Sequence, residues 1–174
     1  KEELEAIKQN LVAAGLPPKY SGRCRDLSSD QIKQNLAHGK NYVIRLKIPE
    51  IKISFTDMIR DKVTFDLGLF GDIAVAKNLR EPLYNLAAAI DDFEMKISHV
   101  IRAEDHLTNT PKQIIMQKAL GFTELNYAHL PLILNHDRSK MSKRFAATAI
   151  LEYRKAGYLK EAMINFLALL GWHP

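Results

Sequence analysis

An α/β fold is predicted for this chain by three features of its apolar pattern. Up to about Lys77 short segments rich in β-branched residues alternate with turn residues. From Pro82 to Leu134 helix-like and strand-like segments take turns, and after Arg144 two helical stretches follow.

The elements are justified in chain order. Glu2 to Ala14 has helical spacing through Leu4, Ile7 and Leu11, and Gly15 with Pro17-Pro18 forms a strong stop. Ser28-Ser29-Asp30 offers N-caps for a short helix through Leu36, with Gly39 beyond it. Tyr42 to Ile48, Ile51 to Phe55, Val63 to Phe65 and Asp72 to Val75 are predicted strands of an antiparallel sheet. The next stretch predicts a helix from Tyr84 to Ile90, a strand from His99 to Arg102, a helix from Thr110 to Leu120 and a strand from Leu130 to Leu134. That rhythm belongs to a parallel sheet. Thr148 to Lys155 and Leu159 to Leu170 are predicted helices, the second almost wholly apolar on one side. The absence of internal repeats and low-complexity tracts excludes solenoids and disordered scaffolds.

At 174 residues and 47% hydrophobic, the chain can bury a core. Lys plus Arg exceed Asp plus Glu by 25 to 20, a mild excess that favours a polyanionic partner. The single cysteine, Cys24, excludes an internal disulfide and fits a reducing, cytoplasmic setting. No apolar run approaches the roughly 20 residues that span a bilayer, so no membrane role is expected. The chain starts inside an amphipathic pattern and stops at Trp172-His173-Pro174 without a polar tail, so it is expected to be a piece of something longer.

Phosphate-loop, dinucleotide, zinc-protease and nucleophile-elbow motifs are absent, which disfavours ordinary nucleotide hydrolases, dehydrogenases and such hydrolytic enzymes. The informative stretch is Asp137-Arg138-Ser139-Lys140-Met141-Ser142-Lys143-Arg144, with four cations and two hydroxyls in a loop leaving the end of a predicted parallel strand. Ligands of open α/β sheets bind at that edge. Cations there can surround a triphosphate and offset charge on departing pyrophosphate. On composition alone, a solvated basic loop accounts for the same residues.

Lys140 to Arg144 reads Lys-Met-Ser-Lys-Arg, and before it come Val100-Ile101-Arg102-Ala103-Glu104-Asp105-His106, Asn109-Thr110-Pro111 and Tyr127-Ala128-His129-Leu130-Pro131. In this order the strings closely resemble the glutamyl-tRNA synthetases of class I, and the likeness runs from Pro82 to Pro174. Pro18 to Arg25 is similar to the start of that family's acceptor-binding insertion. The resemblance implies the second half of a Rossmann-like catalytic domain, with an α+β acceptor-end insertion at 1–79, the catalytic half at 80–136, and the basic loop with the start of a helical stem-contact region at 137–174.

In that family glutamate and ATP, with Mg²⁺, form glutamyl-adenylate, and the glutamyl group passes to the 3' end of tRNA(Glu). By the same resemblance Arg102 would hold the substrate's side-chain carboxylate, for which a planar guanidinium is suited. A salt bridge to Glu104 or Asp105 is its bland alternative. Tyr84 would lie beside the amino acid, or else pack in the core. Asp105 would accept hydrogen bonds from the nucleotide, and backbone at His129 and Leu130, with Met141, would lie near adenine. Lys140 and Lys143 would act on the phosphates as catalytic cations, with Arg144 in support. Asp91 and Asp92 point about 100° apart on a helix and read as structural.

The family's His-x-Gly-His stretch is missing, so the isolated chain is expected to be inactive. Cys24-Arg25-Asp26 lacks the Cys-x-His of zinc-holding members, so neither zinc nor any other protein-held metal is expected. Arg80-Glu81-Pro82 stands where a Gly-containing turn would precede the Tyr84 helix. A glutaminyl-type enzyme, a relative that glutamylates a tRNA base, and a tRNA-binding module without catalysis are the alternatives. A monomer is the expected state.

Overall fold

Residues 2–15, 19–135, 137–141 and 149–171 are described by the structure, a computed structural model. Helix α1 (Glu2–Ala13) comes first, followed by α2 (Ser29–Ala37). A capping box starts α2: the Ser28 hydroxyl accepts from the Gln31 N–H, and the Gln31 side chain accepts from the Ser28 N–H.

Strand β1 (Ile44–Leu46), the hairpin β2 (Lys52–Asp57) and β3 (Asp61–Asp66), and β4 (Ile73–Asn78) come next. A two-residue strand β5 (Glu81–Pro82) then leads into α3 (Tyr84–Glu94). Beyond it lie β6 (His99–Ala103), a 3-10 turn over Glu104–Asn109, α4 (Thr110–Leu120) and β7 (Asn126–Leu130), then α5 (Ile150–Lys155) and α6 (Lys160–Gly171).

The sheets divide differently from the expectation. Strands β1, β4 and β5 make an antiparallel sheet in the order β1-β4-β5. The hairpin leaves that group and joins the parallel strands in a sheet ordered β3-β2-β7-β6. There β2 lies parallel to β7, with Asp57 opposite Tyr127, and the Met58 N–H donates to the Tyr127 carbonyl at 2.8 Å.

Packing accounts for the exchange. Along β2 the inward positions are Ile53, Phe55 and Asp57. Ile53 belongs to one core cluster with Ile48, Leu67, Ile114 and Tyr127, and Phe55 meets the Tyr127 ring edge-on at 5.9 Å between centroids. The apolar face of the hairpin therefore finds its cover on α4 and β7.

The last parallel strand also lies earlier than predicted: it spans Asn126–Leu130, not Leu130 to Leu134. Pro131 has no N–H to give the ladder and ends the strand, while the apolar run after it bridges back to the basic loop. No helix of the described residues is long and apolar enough to cross a membrane.

Candidate active site at the carboxyl edge of the parallel strands

Strands β6 and β7 run side by side in register, so Arg102 sits opposite His129 and Ala103 opposite Leu130 at their carboxyl ends. The turn after β6 and the loop after β7 leave from that same edge. Four of the sequence-predicted residues, Arg102, Asp105, His129 and Leu130, are thus gathered by the parallel pairing itself.

Arg102 is half buried, and its Nε donates to His129 Nε2 at 3.1 Å. Its Nη2 donates to Thr110 Oγ1 and Gln113 Oε1, both at 2.8 Å. Thr110 opens α4 and Gln113 lies one turn on, so the short crossover from β6 brings both acceptors beneath the guanidinium. The salt bridge considered for Arg102 does not form. Glu104 pairs with Arg60 from the hairpin turn and accepts the Leu132 N–H at 3.2 Å, while Asp105 pairs with Lys140.

His129 is fully buried. Its Nδ1 lies 2.6 Å from Asp57 Oδ2, and its backbone N–H donates to Asp57 Oδ1 at 3.2 Å. The N–H groups of Ile59 and Arg60 also donate to Oδ1, at 3.0 and 3.1 Å. Burial alone would raise the Asp57 pKa. The hydrogen bonds from His129 and the three backbone N–H groups outweigh it and hold the carboxyl below its ordinary value.

Asp57 escaped the sequence reading altogether. Its signal was present: it shares the inward face of β2 with Ile53 and Phe55, and a carboxylate in that register needs a buried partner.

Tyr84 begins α3 and is 55% exposed among the described residues. Its ring faces His106 at 5.7 Å, on the turn that also carries Asp105. The Glu81–Pro82 strand pairs with β4, and the Leu83 N–H donates to the Val75 carbonyl at 2.8 Å, so the turn without glycine is held by the first sheet.

The basic loop opens as a tight reversal. Leu134 bridges Lys140, Arg138 takes a positive φ of 64°, and the Asp137 carboxylate accepts from the Ser139 N–H at 2.9 Å and its hydroxyl at 2.6 Å. Lys140 reaches from this reversal to Asp105 and depresses that carboxyl's pKa, chiefly through their hydrogen bond. Met141 ends the described part of the loop, and its N–H donates to the Ile133 carbonyl at 3.0 Å. Lys143 and Arg144 lie outside the described residues.

Away from this edge, a cleft of about 430 Å³ lies between α1 and the segments 19–25, 48–50 and 67–72, lined by Ile7, Leu11, Tyr20 and Arg25 among others. None of the predicted site residues borders it.

Residues 1–174 match a family described as tRNA synthetases class I (E and Q), catalytic domain. Glutamate–tRNA ligase 2 of Thermoanaerobacter pseudethanolicus is 48% identical over 175 residues, covering 100% of this chain and 36% of that protein. Glutamate–tRNA ligase 1 of a Thermoanaerobacter species is 51% identical over 175 residues, covering 99% and 36%. The glutamate-tRNA synthetase of Elizabethkingia anophelis superposes with a TM-score of 0.81 at 35% identity, over 99% of this chain and 40% of that one. A glutamate tRNA ligase from Elizabethkingia meningosepticum, solved in complex with its amino acid, gives the same values of 0.81, 35%, 99% and 40%. The chain spans little more than a third of the length of the curated relatives it matches.

Proposed function

Because the chain belongs to the class I tRNA synthetases of the E and Q group, as a segment of their catalytic domain, we propose that the longer protein activates glutamate with ATP and transfers it to the 3' end of tRNA(Glu). Arg102 carries this reading. It lies at the ligand-binding edge of the parallel strands, and among the described residues no carboxylate forms an ion pair with it. A positive charge left with neutral acceptors suits an anionic side chain. A glutamine amide would leave that charge without a counterion.

Asp105, backbone at His129 and Leu130, and Met141 form the nucleotide side. Lys140 and Lys143, with Arg144, bind the phosphates. Nucleotide entry separates Lys140 from Asp105 and hands each a new partner. Mg²⁺ arrives on the phosphates of ATP, as is usual for a cation that keeps most of its water. Tyr84 flanks the amino acid, where its exposure supports a ligand contact.

Residues 1–79 serve the acceptor end of the tRNA, 80–136 the chemistry, and 137–174 the loop and inner stem. The whole protein works as a cytoplasmic monomer. The isolated chain, without a His-x-Gly-His stretch, is inactive.

The test is pyrophosphate exchange into ATP by the full-length protein with glutamate and tRNA. Lys143→Ala is expected to lower the rate about 10²–10³-fold, the loss typical of removing a group that stabilises transition-state charge. Arg102→Ala is expected to raise the glutamate KM by about tenfold or more. Unchanged exchange in both variants would return these residues to structural roles.

A further inference from the structure

We propose that Asp57 and His129 are a positioning pair that sets the orientation and the available charge of Arg102, so that the β2–β3 hairpin tunes recognition of the substrate carboxylate without touching it. The inference rests on the assignment of Arg102 to the glutamate side chain made above.

The side chains of Asp57 and His129 are both fully buried, 2.6 Å apart through Oδ2 and Nδ1. With its other oxygen receiving three backbone N–H groups, Asp57 stays ionised and requires a proton on Nδ1. The opposite ring nitrogen lies 3.1 Å from Arg102 Nε and 3.0 Å from Thr110 Oγ1. An arginine Nε can only donate, so Nε2 must present its lone pair. Asp57 therefore dictates the tautomer, and the tautomer dictates whether Arg102 is held or repelled.

The remaining contacts serve the same end. Thr110 Oγ1 and Gln113 Oε1 take Nη2, and the Arg102 Cζ lies 5.8 Å from the centroid of the Tyr127 ring. Every one of these acceptors is neutral. The ionised Asp57 is one imidazole ring away, and Asp92 on α3, whose carboxyl pKa burial raises and the Arg102 charge lowers, makes no hydrogen bond or ion pair with the guanidinium among the described residues. The guanidinium is fixed along its Nε and Nη2 sides, no carboxylate among the described residues pairs with it directly, and Nη1 is left to meet a carboxylate.

Asp57→Asn in the full-length protein isolates this effect. The asparagine oxygen still accepts the backbone N–H groups, but its NH₂ now faces Nδ1 and forces the proton onto Nε2, where it confronts the Arg102 Nε–H. The expected result is an Nε2–H signature for His129 in ring ¹⁵N spectra, a glutamate KM raised about tenfold or more, and an unchanged ATP KM.

Gln113→Glu is the second variant. It is isosteric, removes a buried Nε2 that has no hydrogen-bond partner among the described residues, and sets a carboxylate against Nη2. The same selective rise in glutamate KM is expected. If Asp57→Asn does not fold, Gln113→Glu decides.

A flipped tautomer with wild-type glutamate KM, or wild-type glutamate KM in Gln113→Glu, overturns the positioning role provided that Arg102→Ala does raise it. If Arg102→Ala leaves glutamate KM untouched, the assignment of Arg102 is itself wrong. A general fall in stability with both KM values moving together would mark the pair as merely structural.

Discussion

Asp57 shows how one side chain can serve folding and a site together. Its folded pKa is depressed, so the stabilisation it gives is fully present above the unfolded value of about 3.9 and is lost as pH falls through the lower folded value. Unfolding of the wild type, followed by circular dichroism between about pH 5 and 3, is expected to show stability falling toward acid more steeply than in Asp57→Asn. Parallel acid limbs would mean that the carboxylate is not ionised in the folded protein. At Lys140 and Asp105 the same physics acts on the surface, where a pair is screened and contributes little to stability.

Helix α4 links local signals to the site. It starts at Thr110-Pro111, where proline has no N–H to waste, and ends at Gly121 in the left-handed region with φ of 72°. A Cβ at Gly121 would meet no atom within 4 Å, so the cost of Gly121→Ala comes from the backbone alone. Stability is expected to fall by about 1 kcal/mol in a urea midpoint measurement, with the glutamate KM unchanged because Thr110 and Gln113 sit at the other end of the helix. A change in KM without loss of stability would contradict that separation. Strand β7 is the counterpart: Tyr127, Ala128 and His129 are all buried, as a strand with neighbours on both sides must be.

At the scale of the molecule, the first 79 residues and the stretch that follows them share a core. Ile48, Ile53 and Leu67 come from the first 79 residues, Ile114 and Tyr127 from the next stretch, and they form one cluster. Ile53→Ala, at a site 8% exposed, is expected to lose about 2–5 kcal/mol. Hydrogen exchange in the native protein should then accelerate in β7 as much as in the hairpin. Faster exchange confined to residues 52–66 would show that the two parts open independently.

The sequence by itself determined the class of fold, most of the elements, the family and the residues that belong to its motifs. Helix caps, prolines, glycines and apolar periodicity act over a few residues, so Thr110 to Leu120 and a start of α2 within Ser28-Ser29-Asp30 were legible without coordinates. Motif strings such as the one around Arg102 are contiguous and equally legible. Only the tertiary structure decided what Arg102 touches, which strand the hairpin joins, and that Asp57 stands 72 positions before the histidine it holds. Partners in a sheet are chosen by which apolar faces can cover one another, and the hydrogen bonds of a buried carboxylate are completed wherever that packing brings a donor. Neither choice is encoded in any short stretch of chain.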